Sequence, residues 1–157
     1  GFSAGGHLAS LLGLSHNNNI KDFYAGGTKP AFSIRCVMDF YCPSDLVAAS
    51  MSTDTSTNNA QSPVALLLGA LPVDRPDLAK RASPVTYIDK ADPPFFIVNG
   101  EKDESVPNTL SKLLHGWLNV YDVPNELIIV PGAPHYGPMF DEPWIRQRLF
   151  QFLKKYL

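Results

Sequence analysis

The stretch Gly1-Phe2-Ser3-Ala4-Gly5-Gly6-His7-Leu8-Ala9-Ser10 decides the fold of this 157-residue chain. It contains a Gly-x-Ser-x-Gly pentapeptide, followed directly by the small and apolar residues of a helix. In this motif a strand turns sharply into a helix and holds its serine in a strained backbone conformation at the edge of a sheet. Glycines two positions before and after Ser3 allow neighbouring backbone to approach closely. The pentapeptide alone also fits an ordinary glycine-rich turn, so the rest of the chain has to decide.

Composition indicates an ordinary globular chain. Apolar residues make up 45% of it and charged residues 18%, and the formal net charge is −2. No run of Lys and Arg is longer than Lys154-Lys155, so a nucleic-acid partner is not expected. The longest apolar run covers residues 64–68, far short of the roughly 20 residues that cross a bilayer. We therefore expect one domain over residues 1–157, with no nucleic-acid partner and no membrane span.

The cysteines and histidines give no sign of a bound metal. Cys36 and Cys42, the only two cysteines, have neither zinc-site spacing nor the Cys-x-x-Cys spacing of a redox pair. A disulfide between them would need a chain reversal, and we do not expect one because Cys36 lies within a predicted strand. No group of His, Cys and carboxylate residues has ligand spacing. The sequence therefore predicts neither a metal nor an organic cofactor.

Apolar strand patterns alternate with helical patterns along the chain. Strands are predicted over residues 32–41, 94–98 and 126–130, and helices over residues 4–13, 63–68, 76–81, 109–121 and 143–156. Residues 15–30 and 43–63 are predicted to be irregular, with residues 51–61 forming a polar surface loop. Because apolar strands separated by helices form a parallel sheet covered on both faces, we predict an α/β fold of about three parallel strands flanked by helices. Ligands of such sheets bind at the carboxyl ends of the strands.

A carboxylate follows the second predicted strand. Asp103 lies in the segment Val98-Asn99-Gly100-Glu101-Lys102-Asp103-Glu104-Ser105. A carboxylate here could accept a hydrogen bond from a histidine and fix its tautomer. Glu101 and Glu104 are competing candidates on residue type alone.

A histidine follows the third predicted strand. His135 lies in Val130-Pro131-Gly132-Ala133-Pro134-His135-Tyr136-Gly137. Of the other histidines, His7 lies one helical turn beyond Ser3 and points away from it, His16 lies in a polar loop, and His115 lies within a helix. A lone loop histidine is usually a solvated bystander. His135 is nevertheless the preferred base, because it alone lies just beyond the carboxyl end of a strand.

Ser3, Asp103 and His135 occur in the chain order Ser, Asp, His, each just after its own strand. The α/β-hydrolase fold uses this order, unlike the two other well-known serine-hydrolase arrangements. In such a site the histidine takes the serine proton and the carboxylate orients the histidine. The helix after Ser3 would direct the backbone N–H of Ala4 at a developing oxyanion. The sequence thus predicts a serine-hydrolase origin.

Short stretches along nearly the whole chain follow the order of one family. They are Gly1-Phe2-Ser3-Ala4-Gly5-Gly6-His7-Leu8-Ala9, Asp39-Phe40-Tyr41-Cys42-Pro43-Ser44-Asp45-Leu46, Leu67-Leu68-Gly69, Ala82-Ser83-Pro84-Val85-Thr86-Tyr87-Ile88, Pro93-Pro94-Phe95-Phe96-Ile97-Val98-Asn99-Gly100, Asp103, Val106-Pro107 and Gly132-Ala133-Pro134-His135. Together they resemble bacterial esterases of the feruloyl and acetyl-xylan esterase type (BD-FAE-like), which lie near the hormone-sensitive-lipase-like enzymes.

The resemblance implies a serine esterase that forms an acyl-enzyme on Ser3, with Asp103 as the acid and His135 as the base. Glu101 and Glu104 then lose their claim. The implied substrate is an acetyl or feruloyl ester of a carbohydrate, or a small carboxylester. A secreted or periplasmic location would go with the polysaccharide esterases. In this fold residues 43–84 would form a lid or pocket insertion.

Part of the family pattern is absent from this sequence. It lacks the earlier strands, including the one that delivers the nucleophile, and the His-Gly-Gly-type loop that supplies a second oxyanion donor. Since losing one such donor typically costs about 10²–10³-fold in rate, we expect the chain alone to be weakly active or inactive. Its exposed sheet edge would favour self-association or pairing with the missing N-terminal half. Asn99 also departs from the pattern, because relatives often have His before the glycine.

The sequence leaves undecided the roles of three aromatic residues and the choice between an esterase and two other function classes. Tyr41, Tyr136 and Phe140 could stack against a sugar or an aromatic acyl group, or could simply be core and rim aromatics. A peptidase of the prolyl-oligopeptidase kind shares the fold and a Gly-x-Ser-x-Gly-Gly turn. The chain could also be an inert fragment or interaction module that retains these residues without activity.

Overall fold

The computed structural model describes residues 1–51 and 59–157. Its sheet contains three parallel strands in the order β1-β2-β3, namely β1 (Val37–Phe40), β2 (Phe95–Gly100) and β3 (Asn125–Val130). The helices are α1 (Ala4–Ser15), α2 (Leu46–Met51), α3 (Pro63–Leu68), α4 (Pro76–Ala82), α5 (Asn108–Val120) and α6 (Pro143–Tyr156). The predicted α/β fold, three parallel strands flanked by helices, is confirmed.

Both faces of the sheet are covered, as the strand composition predicts. All six residues of the central strand β2 are buried, and alternate side chains point to opposite faces. On the face of α6 the core consists of Phe40, Tyr41, Phe96, Val98, Ile128, Val130, Ala133, Phe140, Ile145 and Phe152. On the face of α1 and α5 it consists of Leu14, Val37, Ile88, Phe95, Ile97, Leu114, Leu118 and Val123. Packing against the helices therefore supports β2 and β3 up to their carboxyl ends, where a loop follows each strand.

The first two residues extend the sheet beyond β1. Phe2 forms an isolated parallel bridge with Phe40, on the edge of β1 opposite β2. Phe40 N–H donates to Gly1 O at 3.0 Å, and Ser3 N–H donates to Phe40 O at 2.9 Å. The carboxyl ends of this short segment, β2 and β3 consequently lie along one edge of the sheet.

The first strand is shorter than the predicted span of residues 32–41. Val37 N–H donates to Pro94 O at 2.8 Å, and Pro93 and Pro94, which precede β2, offer no N–H for further pairing. Phe32 instead stacks on His16, with 4.8 Å between ring centroids. The tandem prolines therefore end the ladder where the apolar pattern predicted more strand.

The residues of α2 were predicted to be irregular, since they lie in the polar span of residues 43–63, but they form a helix. Asp45 caps it, because Oδ1 accepts hydrogen bonds from Val47 N–H and Ala48 N–H, both at 2.9 Å. The cap and the four residues 46–49 were a readable helix signal. Residues 52–58 of the predicted 51–61 loop lie outside the described residues. Among the described residues, no helix has the length and apolarity to cross a membrane.

Candidate active site

Ser3 sits in a strained turn between the short edge segment and α1. Its φ is +50° and its ψ is −118°, a conformation that non-glycine residues rarely adopt. Such a residue costs about 1–3 kcal/mol and persists only where its surroundings fix it. Here Ser3 N–H bonds to Phe40 O, and His7 N–H donates to Ser3 O at 2.9 Å. We call residues 1–6 the serine elbow.

The glycine requirement of the serine elbow differs in part from the one predicted. A Cβ on Gly1 would lie 2.2 Å from the backbone oxygen of Gly5, so Gly1 has no room for a side chain. A Cβ on Gly5 would meet nothing within 4 Å among the described residues. The tight neighbour is Gly6, whose Cβ would lie 3.0 Å from Phe40 O. Gly1 therefore approaches the Gly5 backbone closely, as the motif predicts, but among the described residues the second position without room for a side chain is Gly6 rather than Gly5.

Ser3, His135 and Asp103 form one continuous hydrogen-bonded series. His135 Nδ1 lies 2.8 Å from Asp103 Oδ2, and His135 Nε2 lies 2.9 Å from Ser3 Oγ. Because a carboxylate oxygen can only accept, Nδ1–H donates to Asp103 and Nε2 accepts from the Ser3 hydroxyl. The Asp103 side chain is fully buried, whereas 17% of the His135 side chain is exposed. The structure thus brings together the three residues that the sequence singled out.

Asp103 lies in the acid loop (residues 101–107), which follows β2. Its Oδ1 accepts hydrogen bonds from Ser105 N–H at 3.0 Å and from Val106 N–H at 2.8 Å. The competing carboxylates have other environments: Glu104 is exposed, and Glu101 Oε2 accepts from Gly132 N–H at 2.8 Å. Glu101 therefore links the acid loop to the histidine loop (residues 131–137).

The acid loop and the histidine loop touch through their backbones. Lys102 N–H donates to Ala133 O at 2.9 Å, and Glu101 N–H donates to Val130 O at 3.0 Å. At Gly100, where β2 ends, a Cβ would lie 2.3 Å from Pro134 O. Only glycine fits this contact, which fixes the distance between the two loops.

The side chains of the other histidines have partners of their own. His7 Nε2–H donates to Ala82 O at 2.7 Å, and burial lowers the pKa of His7. His16 Nε2–H donates to Phe32 O at 2.8 Å. His115 bonds to Asn125 and Asn119 on the surface between α5 and β3.

The three aromatic candidates for substrate contact divide into two kinds. Tyr41 and Phe140 are buried, and the Tyr41 ring packs 4.8 Å from both the Phe140 and the His135 ring centroids. Burial, together with the negative charge of Asp103, raises the pKa of Tyr41. Tyr136 is 74% exposed beside His135. The packing of Tyr41 and Phe140 fits the core interpretation, and Tyr136 is the ring open to a ligand.

Ala4 is the first residue of α1 and directly follows Ser3. The first N–H groups of a helix have no intrahelical acceptor and carry the positive end of its dipole. The Ala4 N–H is thus available next to the Ser3 hydroxyl, which is the position that an oxyanion donor needs.

Two buried polar residues near the site were not predicted. Asp39, on β1, is fully buried and accepts a hydrogen bond from Cys42 N–H at 3.1 Å, and burial raises its pKa to about 6. Asn99, on β2, contacts Asp103. The structure places both within apolar strands, a position where a buried polar residue needs a partner. Within residues 1–51 and 59–157, no three His, Cys, Asp or Glu side chains are grouped to hold a metal ion.

Comparisons with known proteins identify the family. The model of the BD-FAE family matches residues 1–118. The chain is 32% identical over 112 residues to esterase LipQ of Mycobacterium tuberculosis, which covers 71% of this chain and 25% of LipQ. It is thus similar to about a quarter of that relative.

Solved structures of esterases have the same fold. A truncated form of a carbohydrate esterase from gut microbiota superposes with a TM-score of 0.82 at 28% identity, over 99% of this chain and 57% of that one. A bifunctional GH43-CE protein of Bacteroides eggerthii gives a TM-score of 0.83 at 33% identity, over 99% of this chain and 21% of its own. The chain belongs to the BD-FAE family, whose model it matches over 118 of its 157 residues.

Proposed function

We propose that this chain carries the catalytic triad of a serine-dependent carboxylic ester hydrolase, with Ser3 as nucleophile, His135 as general base and Asp103 as the acid that orients it. The observation that carries the proposal is the continuous Ser3–His135–Asp103 hydrogen bonding, at 2.9 and 2.8 Å, on a serine with φ +50°. Geometry of this kind, rather than sequence position, identifies such a triad.

The proposed reaction has two steps. Ser3 Oγ attacks the ester carbonyl carbon while its proton moves to His135 Nε2, and the alcohol leaves with that proton as the acyl-enzyme forms. Water then gives a proton to Nε2 and attacks the acyl carbonyl, and the acid leaves as Ser3 regains its proton. The buried Asp103 carboxylate stabilises the imidazolium in both steps. The Ala4 N–H donates to the oxyanion that develops in each step.

The relatives and the surface around His135 support a proposal for the substrate class. A carbohydrate esterase and a GH43-CE protein are similar to this chain at 28% and 33% identity. We propose an acetyl or feruloyl ester of a carbohydrate, or a small carboxylester, with the exposed Tyr136 ring beside the acyl or sugar group. The described parts of the predicted insertion, residues 43–51 and 59–84, would border this substrate. Faster release of acetate from acetylated xylan than from a 4-nitrophenyl ester would favour the carbohydrate substrate.

The nucleophile is tested by Ser3→Ala in the full-length protein. We expect hydrolysis of 4-nitrophenyl acetate to fall by about 10⁴-fold or more, because the acyl-enzyme cannot form. Ser33→Ala, which changes an exposed serine away from the triad, is the matched control and should keep full activity. Undiminished turnover in Ser3→Ala would overturn the assignment, and faster cleavage of a Pro-linked peptide amide would favour a peptidase instead.

The activity of residues 1–157 alone is a separate question. We expect it to be weak or absent, because this sequence contains no His-Gly-Gly-type donor loop. A fluorophosphonate probe reports whether a reactive serine assembles without requiring turnover. Labelling at Ser3 together with turnover equal to that of the full-length protein would contradict this expectation.

A further inference from the structure

Asn99 is a buried polar neighbour of Asp103, the acid of the proposed triad. It is the next-to-last residue of β2 and is fully buried. Its Nδ2 lies 3.2 Å from Asp103 Oδ2 and 3.2 Å from Val106 O. Its Oδ1 accepts a hydrogen bond from Ser111 Oγ–H at 2.8 Å, and Ser111 lies on α5, also buried. A polar side chain inside an apolar strand therefore has a partner at each end.

The orientation of the Asn99 amide is fixed by its neighbours. Asp103 Oδ2 and Val106 O are both acceptors, so the group that faces them has to be the NH₂. The reverse orientation would place an amide oxygen against two other oxygens with no donor between them. Ser111 can donate to the remaining Oδ1, which stabilises the same orientation.

Asn99 completes the set of donors around the Asp103 carboxylate. Oδ1 accepts from two backbone N–H groups, and Oδ2 accepts from His135 Nδ1–H and Asn99 Nδ2–H. A carboxylate with both oxygens bonded in this way cannot rotate without breaking a buried hydrogen bond, which is costly. The direction in which Oδ2 faces His135 is thereby fixed by a second donor to the same oxygen.

We propose that Asn99 is a positioning residue for the triad: its amide holds Asp103 Oδ2 toward His135, and Ser111 holds that amide in the donating orientation. The proposal rests on the triad proposed above. Asn99 acts through Asp103 and has no access to the substrate, since it is fully buried. Its loss should consequently lower kcat and leave KM nearly unchanged.

The experiment compares Asn99→Leu, Ser111→Ala and the double variant in the full-length protein. Leu keeps the branching at Cγ and the number of side-chain heavy atoms of Asn99 but donates nothing, and we expect kcat on 4-nitrophenyl acetate to fall about 10- to 100-fold with KM within twofold. Ser111→Ala should lower kcat about threefold. Because Ser111 acts through Asn99, the double variant should be no slower than Asn99→Leu alone.

A spectroscopic readout separates positioning from simple structural support. The His135 Nδ1–H proton, bonded to Asp103, gives a downfield ¹H NMR resonance that requires no turnover. We expect this resonance to move or to broaden in Asn99→Leu and to move less in Ser111→Ala. Ser15→Ala, which removes another buried serine hydroxyl at the far end of α1, is the control and should leave kcat and the resonance unchanged.

The outcomes are decisive for each proposal. An unchanged resonance and kcat in folded Asn99→Leu would overturn the role of Asn99, while loss of activity in Ser3→Ala would still support the triad. An effect on KM alone would also overturn it. If Asn99→Leu does not fold, Ser111→Ala decides, and the same resonance and kcat as in Ser15→Ala would count against the proposal.

Discussion

The serine elbow and the pair of loops that carry Asp103 and His135 are held in different ways. The acid and histidine loops follow the adjacent strands β2 and β3 and are joined by backbone bonds, by the Glu101 carboxylate and by the fit of Gly100 against Pro134. The serine elbow is held to β1 by the Phe2–Phe40 bridge and by hydrogen bonds of Gly1 and Ser3 to Phe40, and Phe2 within it is 60% exposed. The base and its acid are therefore held to each other by contacts between their loops, whereas the nucleophile is held by backbone hydrogen bonds to β1.

The largest expected effect tests whether the acid–histidine side works as a unit. Asp103→Asn keeps the shape of the acid but removes its charge and reverses the tautomer preference of His135. We expect kcat on 4-nitrophenyl acetate to fall by about 10⁴-fold, as such a change does in serine proteases. Glu104→Gln, which changes an exposed carboxylate outside the triad, is the control, and its kcat should stay near that of the wild type. A loss under tenfold in Asp103→Asn would show that the acid is dispensable.

A second test concerns the support of the serine elbow from β1. Burial raises the pKa of Asp39 from 3.8 to about 6, so the folded state holds this proton more tightly than the unfolded state. The ionised form is penalised in the folded protein, and stability is lost as pH rises from 3.8 through about 6. Asp39→Asn removes the penalty and keeps an acceptor for Cys42 N–H. We expect it to match wild type at pH 4 and to be more stable by about 3 kcal/mol at pH 8.

Urea unfolding of both proteins at the two pH values measures this difference. Asp92→Asn provides a comparison outside the serine elbow, because burial raises the pKa of Asp92 to about 7 and the same sign applies. If the Asp39→Asn advantage were larger at pH 4 than at pH 8, Asp39 would instead be a charge that the fold stabilises.

The smallest expected effect probes the contact between the two loops. Gly100→Ala would place a methyl group 2.3 Å from Pro134 O, so the histidine loop has to move. We expect a loss of about 1–3 kcal/mol in stability and a fall in kcat, measured by urea unfolding and by ester hydrolysis. Gly116→Ala is the matched control, because a Cβ there meets nothing within 4 Å among the described residues. Since Gly116 lies within α5, Ala should stabilise the protein by up to about 1 kcal/mol. Equal stability of the two variants would mean that the loop contact is unimportant.

The sequence predicted the elements with local signals and the residues whose position follows from them. Helix α6 was predicted over its observed span, and His135 and Asp103 were chosen because each follows a strand of a parallel sheet. The N-terminal limit of β1 was not predictable from its own residues, because it depends on two prolines nearly 60 positions away, before β2. Local sequence patterns therefore predicted the architecture, whereas the length of β1 depends on its partner strand β2.

The supporting residues of the site were harder to predict for the same reason. Asn99 has a partner on α5, 12 positions along the chain, and nothing local distinguishes it from a polar residue at a strand end. The Gly-x-Ser-x-Gly motif specifies Gly5, yet the close contact with Phe40 O is made by its neighbour Gly6. Such contacts depend on how elements pack, which no single stretch of sequence encodes.

The burial of Asp103 against His135 has a consequence for covalent inhibitors. Nδ1 of the imidazole is bonded to a fully buried carboxylate, whereas Nε2 faces the Ser3 hydroxyl. The Tyr41 ring, 4.8 Å away, opposes a turn of the imidazole that would exchange the two nitrogens. An alkylating reagent delivered by an ester-like group should therefore modify one nitrogen, Nε2, and the regiochemistry of the adduct would record the orientation of the ring.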